Sequence, residues 1–361
     1  LLFFEVDEPM TSRRYFLGLT GTIALGVVAC QGQRQPSVST PSEGSTEPIS
    51  LYGAGSTLPS FLYLKWFSEY NKKHPNVEIS YQPVGSAAGI QQFTSNTIDF
   101  GASDVPLTDA EISQVQRGAI ALPMTGGSIA VVYNLPGITG LKFSRQVLAD
   151  IFLGKIKQWN DPQITGANPG VALPNQAILL VHRSDGSGTT AAFTAHLSAI
   201  SPEWKEKVGT GLNVAWVAGT GIKDNAGISA QIQQTEGTLG YVEYSFAKQL
   251  KLATIALENK AGRFIQPDDN TAARALATVK LDADLRGAVP DPEGDDSYPI
   301  VTYSWLLVYK QYDDPRKAAV LRDVIQWGAR EGQQYATDLG YVPLPTEVAD
   351  RVTDGARQIG A

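Results

Sequence analysis

Cysteine is nearly absent: Cys30 is the single one in 361 residues. No disulfide can form within the chain, so the fold depends on its apolar core alone. Histidine is scarce too. His74, His182 and His196 are the only three, and their spacing matches no metal-ligand pattern. No glycine loop ends in Gly-Lys-Ser/Thr, which removes the P-loop nucleotide sites. Gly53-Ala54-Gly55 is followed by Ser56, Thr57 and Leu58, so the G-x-G-x-x-G dinucleotide fingerprint is missing as well. The Gly-x-Ser-x-Gly elbow of serine hydrolases does not occur around Ser187. These absences leave no cofactor, no metal and no enzyme class to expect. Positive charge is in short supply, with 29 Lys and Arg against 36 Asp and Glu and a net charge of −7. Such a chain is a poor non-specific partner for nucleic acid.

What remains is a globular composition, 43% hydrophobic with 35 glycines. At this length two α/β lobes or one large domain are expected. Met10 reads as the initiating residue. Ser12-Arg13-Arg14-Tyr15-Phe16-Leu17 leads into an apolar run, Leu19 to Ala29, too short to span a bilayer and flanked as an export signal is. The arginine pair resembles a twin-arginine signal, although general-pathway signals carry paired basic residues too. Val27-Val28-Ala29-Cys30 resembles a bacterial lipobox, with Cys30 as the lipidated residue of the exported protein. Residues 10–30 are therefore expected to be a lipoprotein signal peptide. Residues 31–48 are Ser, Thr, Pro, Gln and Glu with almost nothing apolar, a composition expected of a flexible tether. The expected location is the periplasm or the outer face of the cell membrane, reached through a lipid anchor only.

Three segments of the body share one design. Ala177-Ile178-Leu179-Leu180-Val181 is a short apolar run suited to a buried strand. It enters His182-Arg183-Ser184-Asp185-Gly186-Ser187-Gly188-Thr189-Thr190, and Phe193 and Leu197 then follow at helical spacing. Ile49 to Leu58 repeats the pattern with Gly53-Ala54-Gly55-Ser56-Thr57, and Pro59 opens a helix expected over 60–74 that buries Phe61, Leu64, Trp66 and Phe67. Val84-Gly85-Ser86-Ala87-Ala88-Gly89 opens a third helix, with Ser86 expected at its N-cap. Each turn alone reads first as a structural cap. Together, with unpaired helix N–H groups, hydroxyl donors and the guanidinium of Arg183, they favour a shared anion site. Asp104 closes a fourth segment, Gly101-Ala102-Ser103-Asp104. It caps the helix after Thr108, starts a turn, or faces the anion. Facing the anion, a carboxylate, which only accepts hydrogen bonds, would repel any oxyanion lacking a proton, favouring phosphate over sulfate.

In this order these segments resemble the family of periplasmic phosphate-binding proteins of bacterial high-affinity phosphate (Pst) ABC transporters. Asp150-Ile151-Phe152-Leu153-Gly154-Lys155-Ile156 with Trp159, and Gly240-Tyr241-Val242-Glu243-Tyr244, agree with it, and the similarity runs from about Leu51 to Leu344. The resemblance implies an α/β fold of the two-lobe type II periplasmic binding protein kind with a two-crossover hinge. Residues 49–128 plus 300–361 would form lobe I and 129–299 lobe II. It implies a solute-binding protein that captures inorganic phosphate and delivers it to the membrane permease subunits of an ABC transporter. Thr57 and Leu58 would offer backbone N–H groups, with the Thr57 hydroxyl as well. Ser86 would bind through hydroxyl and N–H, Asp104 would accept the phosphate proton, and Arg183, Ser187, Gly188 and Thr189 would complete the cage. Asp185 would hold Arg183 in place. Leu58 stands where phenylalanine is common, a change that leaves the backbone donor intact. The rival readings are a hydrolase or phosphatase and a phosphate sensor or adhesion protein on the same scaffold.

Overall fold

The computed structural model describes residues 47–360. The expected signal peptide, Cys30 and most of the tether lie outside the described residues. Twelve strands alternate with helices: β1 (Ile49–Gly55), β2 (Val77–Pro83), β3 (Phe100–Ser103), β4 (Ala119–Tyr133), β5 (Lys142–Phe143), β6 (Leu179–Arg183), β7 (Thr220–Ile222), β8 (Thr238–Glu243), β9 (Ala253–Thr254), β10 (Ala256–Glu258), β11 (Phe264–Ile265) and β12 (Val301–Tyr309). Nine join one sheet in the order β2-β1-β3-β12-β4-β8-β6-β7, with β9 added to β4. The other three form a small sheet, β11-β10-β5. β1 runs parallel to β2 and β3, and β6 runs parallel to β7 and β8. Parallel neighbours require crossovers, and helices supply them.

The longest strand links the two halves. β4 is apolar and buried over nearly all of its 15 residues. It pairs with β12 from Ala119 to Ser128, then with β8 from Ile129 to Tyr133. The return connection lies beside it: Ile129 N–H donates to Ile300 O at 2.9 Å, and the Tyr298 hydroxyl donates to Ile129 O at 3.0 Å. Both crossings therefore share one ladder, and the two-lobe, two-crossover architecture follows from it. The β4–β12 register slips between Ser304 and Trp305, which face Thr125 and Pro123 and leave Met124 as the extra residue. Proline has no N–H to give the ladder, and a bulge at its position is the common accommodation.

Two local expectations are corrected. Helix Ser60–Lys73 buries Leu62, Tyr63, Trp66, Phe67 and Tyr70, whereas Leu64 is exposed and Phe61 only partly buried. The aromatic stripe decides the facing, because Tyr63 packs on Trp66 at 5.7 Å and on Tyr81 at 5.3 Å. At the start of helix Ser86–Thr94 the N-cap is Gly85, with φ +98°, so Ser86 is the first helical residue. Among the described residues no helix is long and apolar enough to cross a membrane.

Candidate functional site

The C-terminal ends of β1, β2, β3 and β6 all deliver residues to one place, as parallel α/β sheets characteristically do. Thr57, Leu58, Ser86, Asp104, Arg183, Ser187 and Thr189 are each no more than 4% exposed. Ser86 Oγ is the junction. It lies 3.4 Å from Asp104 Oδ2 and accepts from Asp104 N–H at 3.2 Å and from Gly188 N–H at 3.2 Å. Because Gly85 caps the helix, the Ser86 hydroxyl is released for this work. Nearby, Ala87 N–H donates to Gly186 O at 3.0 Å. Asn225 Nδ2 donates to Thr57 Oγ1 at 2.8 Å and to Thr189 Oγ1 at 3.4 Å. The structure thus brings Thr57, Ser86, Asp104, Gly188 and Thr189 together from four separate stretches of chain.

Arg183 ends β6. Its Nε donates to Asp185 Oδ1 at 2.7 Å, and its Nη2 pairs with Asp185 Oδ2. Asp185 also accepts from Asp224 N–H at 2.9 Å. Burial would raise the Asp185 carboxyl, but the bond and charge of Arg183 and the Asp224 N–H outweigh it and hold the carboxyl below its ordinary range. This fork fixes one edge of the guanidinium. Arg183 Nη1 remains buried and has no hydrogen-bond partner among the described residues. A fixed cation with spare buried donors calls for an anion. Ser187 is the N-cap of helix Gly188–Ile200: its Oγ accepts from Thr190 N–H at 3.1 Å, which leaves its own proton to donate. Leu58 N–H donates to Ser56 Oγ at 3.0 Å.

Asp104 is the acceptor of the group. It does not cap the following helix, because Thr108 does so in a reciprocal box with Glu111. Ser56 Oγ donates to its Oδ2 at 2.5 Å and Ser304 Oγ to its Oδ1 at 2.7 Å. Burial pushes its carboxyl up to about 6, against the lowering pull of Ser56, Ser304, Arg183 and Ser86. The sign of the stability effect follows from linkage. An unfolded aspartate titrates near 3.8, so folding takes up a proton between that pH and about 6. This contribution is complete below the unfolded value and is lost as pH rises through 6. Above that, the ionised carboxylate costs roughly 3 kcal/mol of stability. Asp104→Asn in ligand-free protein is therefore expected to melt above the parent at pH 8 and level with it at pH 4. Equal melting curves at pH 8 would contradict the burial account.

Ser56, Ser304 and Asn225 contribute to the site without having been singled out in the sequence. Ser56 stood inside a motif already recognised, beside Thr57. Ser304 is 200 residues from Asp104 and appears only as a polar position in an apolar strand. None of the histidines bonds a hydroxyl of the site. His182 stacks on Trp216 at 4.4 Å, His196 Nδ1 lies 2.9 Å from Pro290 O, and His74 stacks on Tyr70 at 4.2 Å. Tyr241 is structural support: its hydroxyl lies 2.7 Å from Thr190 Oγ1 and accepts from Arg183 N–H at 3.3 Å.

Residues 38–331 match the family model described as the PBP superfamily domain. The phosphate-binding protein PstS of Pasteurella multocida is 43% identical over 312 residues, covering 85% of this chain and 90% of the relative. PstS of Methanocaldococcus jannaschii is 39% identical over 351 residues, covering 90% of each. Among solved structures, a high-affinity periplasmic phosphate-binding protein (PfluDING) bound with phosphate superposes with a TM-score of 0.68 at 19% identity, covering 87% of this chain and 99% of that one. That likeness speaks to the fold, and the sequence identities speak to descent. The chain belongs to the PBP superfamily and, within it, to the family of the phosphate-binding proteins PstS.

Proposed function

We propose that this protein captures inorganic phosphate outside the cytoplasm and delivers it to the permease subunits of an ABC transporter. The observation that carries the reading is Arg183 Nη1, a buried charged donor without a hydrogen-bond partner among the described residues, in a site whose hydroxyls gather about the carboxylate of Asp104. Thr57, Ser86, Arg183, Ser187, Gly188 and Thr189 would donate to the anion. Leu58 would join them by turning its N–H from Ser56 Oγ to the ligand. Asp104 would accept the one proton that hydrogen phosphate carries and sulfate lacks. The lobes would be 49–128 plus 300–361 and 129–299, closing over the ligand, with the chain tethered through a lipid on Cys30. Binding rather than hydrolysis is supported by the histidine geometry, since no imidazole stands beside Ser187 to activate it.

Titration of protein stripped of endogenous ligand tests the reading. Phosphate and arsenate are expected to bind and sulfate to be rejected; sulfate binding as tight as phosphate would overturn it. Asp104→Asn is expected to relax the rejection of sulfate, because an amide donates where a carboxylate cannot. Lowering the pH through 6 is expected to relax it in the parent protein too, as Asp104 takes up a proton and becomes a donor. Discrimination unchanged in competition calorimetry, by mutation and by pH alike, would remove Asp104 from the role.

A further inference from the structure

We infer that Asn225 is a positioning residue that sets the hydrogen-bond polarity of the site, by occupying a lone pair of Thr57 and of Thr189 and so turning their hydroxyl protons toward the bound anion. Asn225 lies in the first turn of helix Asp224–Gln234 and is fully buried. The orientation of its amide is dictated by a neighbour that cannot switch roles. Glu243 N–H donates to Asn225 Oδ1 at 3.1 Å, and a backbone N–H can only donate, so the oxygen must face it. The other end is then the NH2 group, which can only donate in turn. It reaches Thr57 Oγ1 at 2.8 Å and Thr189 Oγ1 at 3.4 Å. Each threonine hydroxyl has one proton and two lone pairs. With a lone pair of each engaged by Asn225, each proton is directed elsewhere, and neither hydroxyl has another bond among the described residues.

The consequence is a division of labour. Left free, a hydroxyl can turn and accept, so Thr57 and Thr189 would offer acceptors beside that of Asp104. Held by Asn225, they meet the ligand with their protons, and the carboxylate of Asp104, which only accepts, is the group that reads the ligand's proton. Thr57 follows the end of β1 and Thr189 lies in the first turn of helix Gly188–Ile200, at separate turns of the site, so one amide sets the polarity of both. This inference rests on the reading of the site as a phosphate cage, which the parent protein's own titration checks.

The test is a double-mutant cycle read by phosphate calorimetry. Asn225→Ala and the near-isosteric Asn225→Asp are each made in the parent and in a Thr57→Val, Thr189→Val background. In the parent, Asn225→Ala is expected to weaken phosphate binding about tenfold, the loss typical when a hydrogen-bonded orientation is removed. Asn225→Asp is expected to be weaker still, because its carboxylate draws both hydroxyl protons away from the ligand. In the valine background, where no hydroxyls remain to be oriented, the cost of Asn225→Ala is expected to vanish and that of Asn225→Asp to shrink to its charge repulsion. The same loss in both backgrounds would mean that Asn225 only packs the core, and would overturn the inference. So would no loss in the parent. If Asn225→Ala fails to fold, the Asp pair carries the cycle alone. A parent protein that binds no phosphate would overturn the cage reading, and the inference would fall with it.

Discussion

Arg183→Ala is expected to weaken phosphate binding by roughly 100- to 10,000-fold, the range that two charge-assisted hydrogen bonds of about 1.5–3 kcal/mol each imply. The loss is large because the side chain is only 1% exposed and water cannot stand in for it. It is also doubled in kind. Asp185 would keep its bond from Asp224 N–H but lose both bonds from the guanidinium. A mostly buried carboxylate left in that condition destabilises the fold, and breaking such a pair costs about 3–5 kcal/mol. Ligand-free Arg183→Ala should therefore melt lower than the parent above pH 4. The difference should narrow in more acidic solution, because the Asp185 carboxyl is held low only while Arg183 is there. Arg183→Lys keeps the charge without the planar fork and should fall between the two. Calorimetry on all three proteins decides the matter, and an alanine variant with near-parental affinity would place the anion elsewhere.

Gly188→Ala should disable the site by a different route. A Cβ built on Gly188 lies 2.5 Å from Asp104 Cβ and Oδ2 and 2.6 Å from Ser86 Oγ, closer than real Cβ contacts reach. Gly188 follows β6, whereas Asp104 follows β3 and Ser86 follows β2, and the sheet order puts the β12–β4 pair between these groups. On the proposed lobe division the clash falls across the cleft, and parting its two sides would relieve it without disturbing either core. Binding should weaken about 10- to 100-fold, as 1–3 kcal/mol of overpacking implies. The ligand-free melting temperature should hardly change. Solution scattering should find the phosphate-saturated variant as extended as the ligand-free one. Parental affinity would show that the contact between Gly188 and Asp104 is no part of the bound state.

The sequence was most informative where backbone and chemistry coincide. Gly-Ala-Gly-Ser-Thr at 53–57 and Arg-Ser-Asp-Gly-Ser-Gly-Thr at 183–189 announce strand-to-turn-to-helix junctions with donors, and the structure puts both at strand ends. The pairing of Asp185 with Arg183 could be read from their spacing, whereas Asp104 left several readings open and only the box between Thr108 and Glu111 removes the capping one. Ser304 could not, since its partner lies 200 residues away and a bulge at Pro123 sets the local register. Asn225 was hidden by its type: a polar residue at a helix start is ordinarily a capping residue, and only Thr57 and Thr189 beside it reveal another use. Leu64 misled for the opposite reason. Spacing gave it a place on the buried face, but the larger area of Tyr63, Trp66 and Tyr70 turned the helix toward themselves.

The neighbouring passage of β4 and β12 has a mechanical side. Two strands bound to each other along a ladder behave as one laminated leaf: they flex out of plane readily and resist sliding past one another. Admission of a ligand can then proceed by bending this leaf while every rung stays closed. What has to part are bonds that cross the mouth: the amide of Ala87 to Gly186, that of Gly188 to Ser86 and the side-chain amide of Asn225 to Thr57. Those contacts gather where β1, β2 and β6 give way to the turns of the site, so the same groups that would hold the ligand also latch the way in.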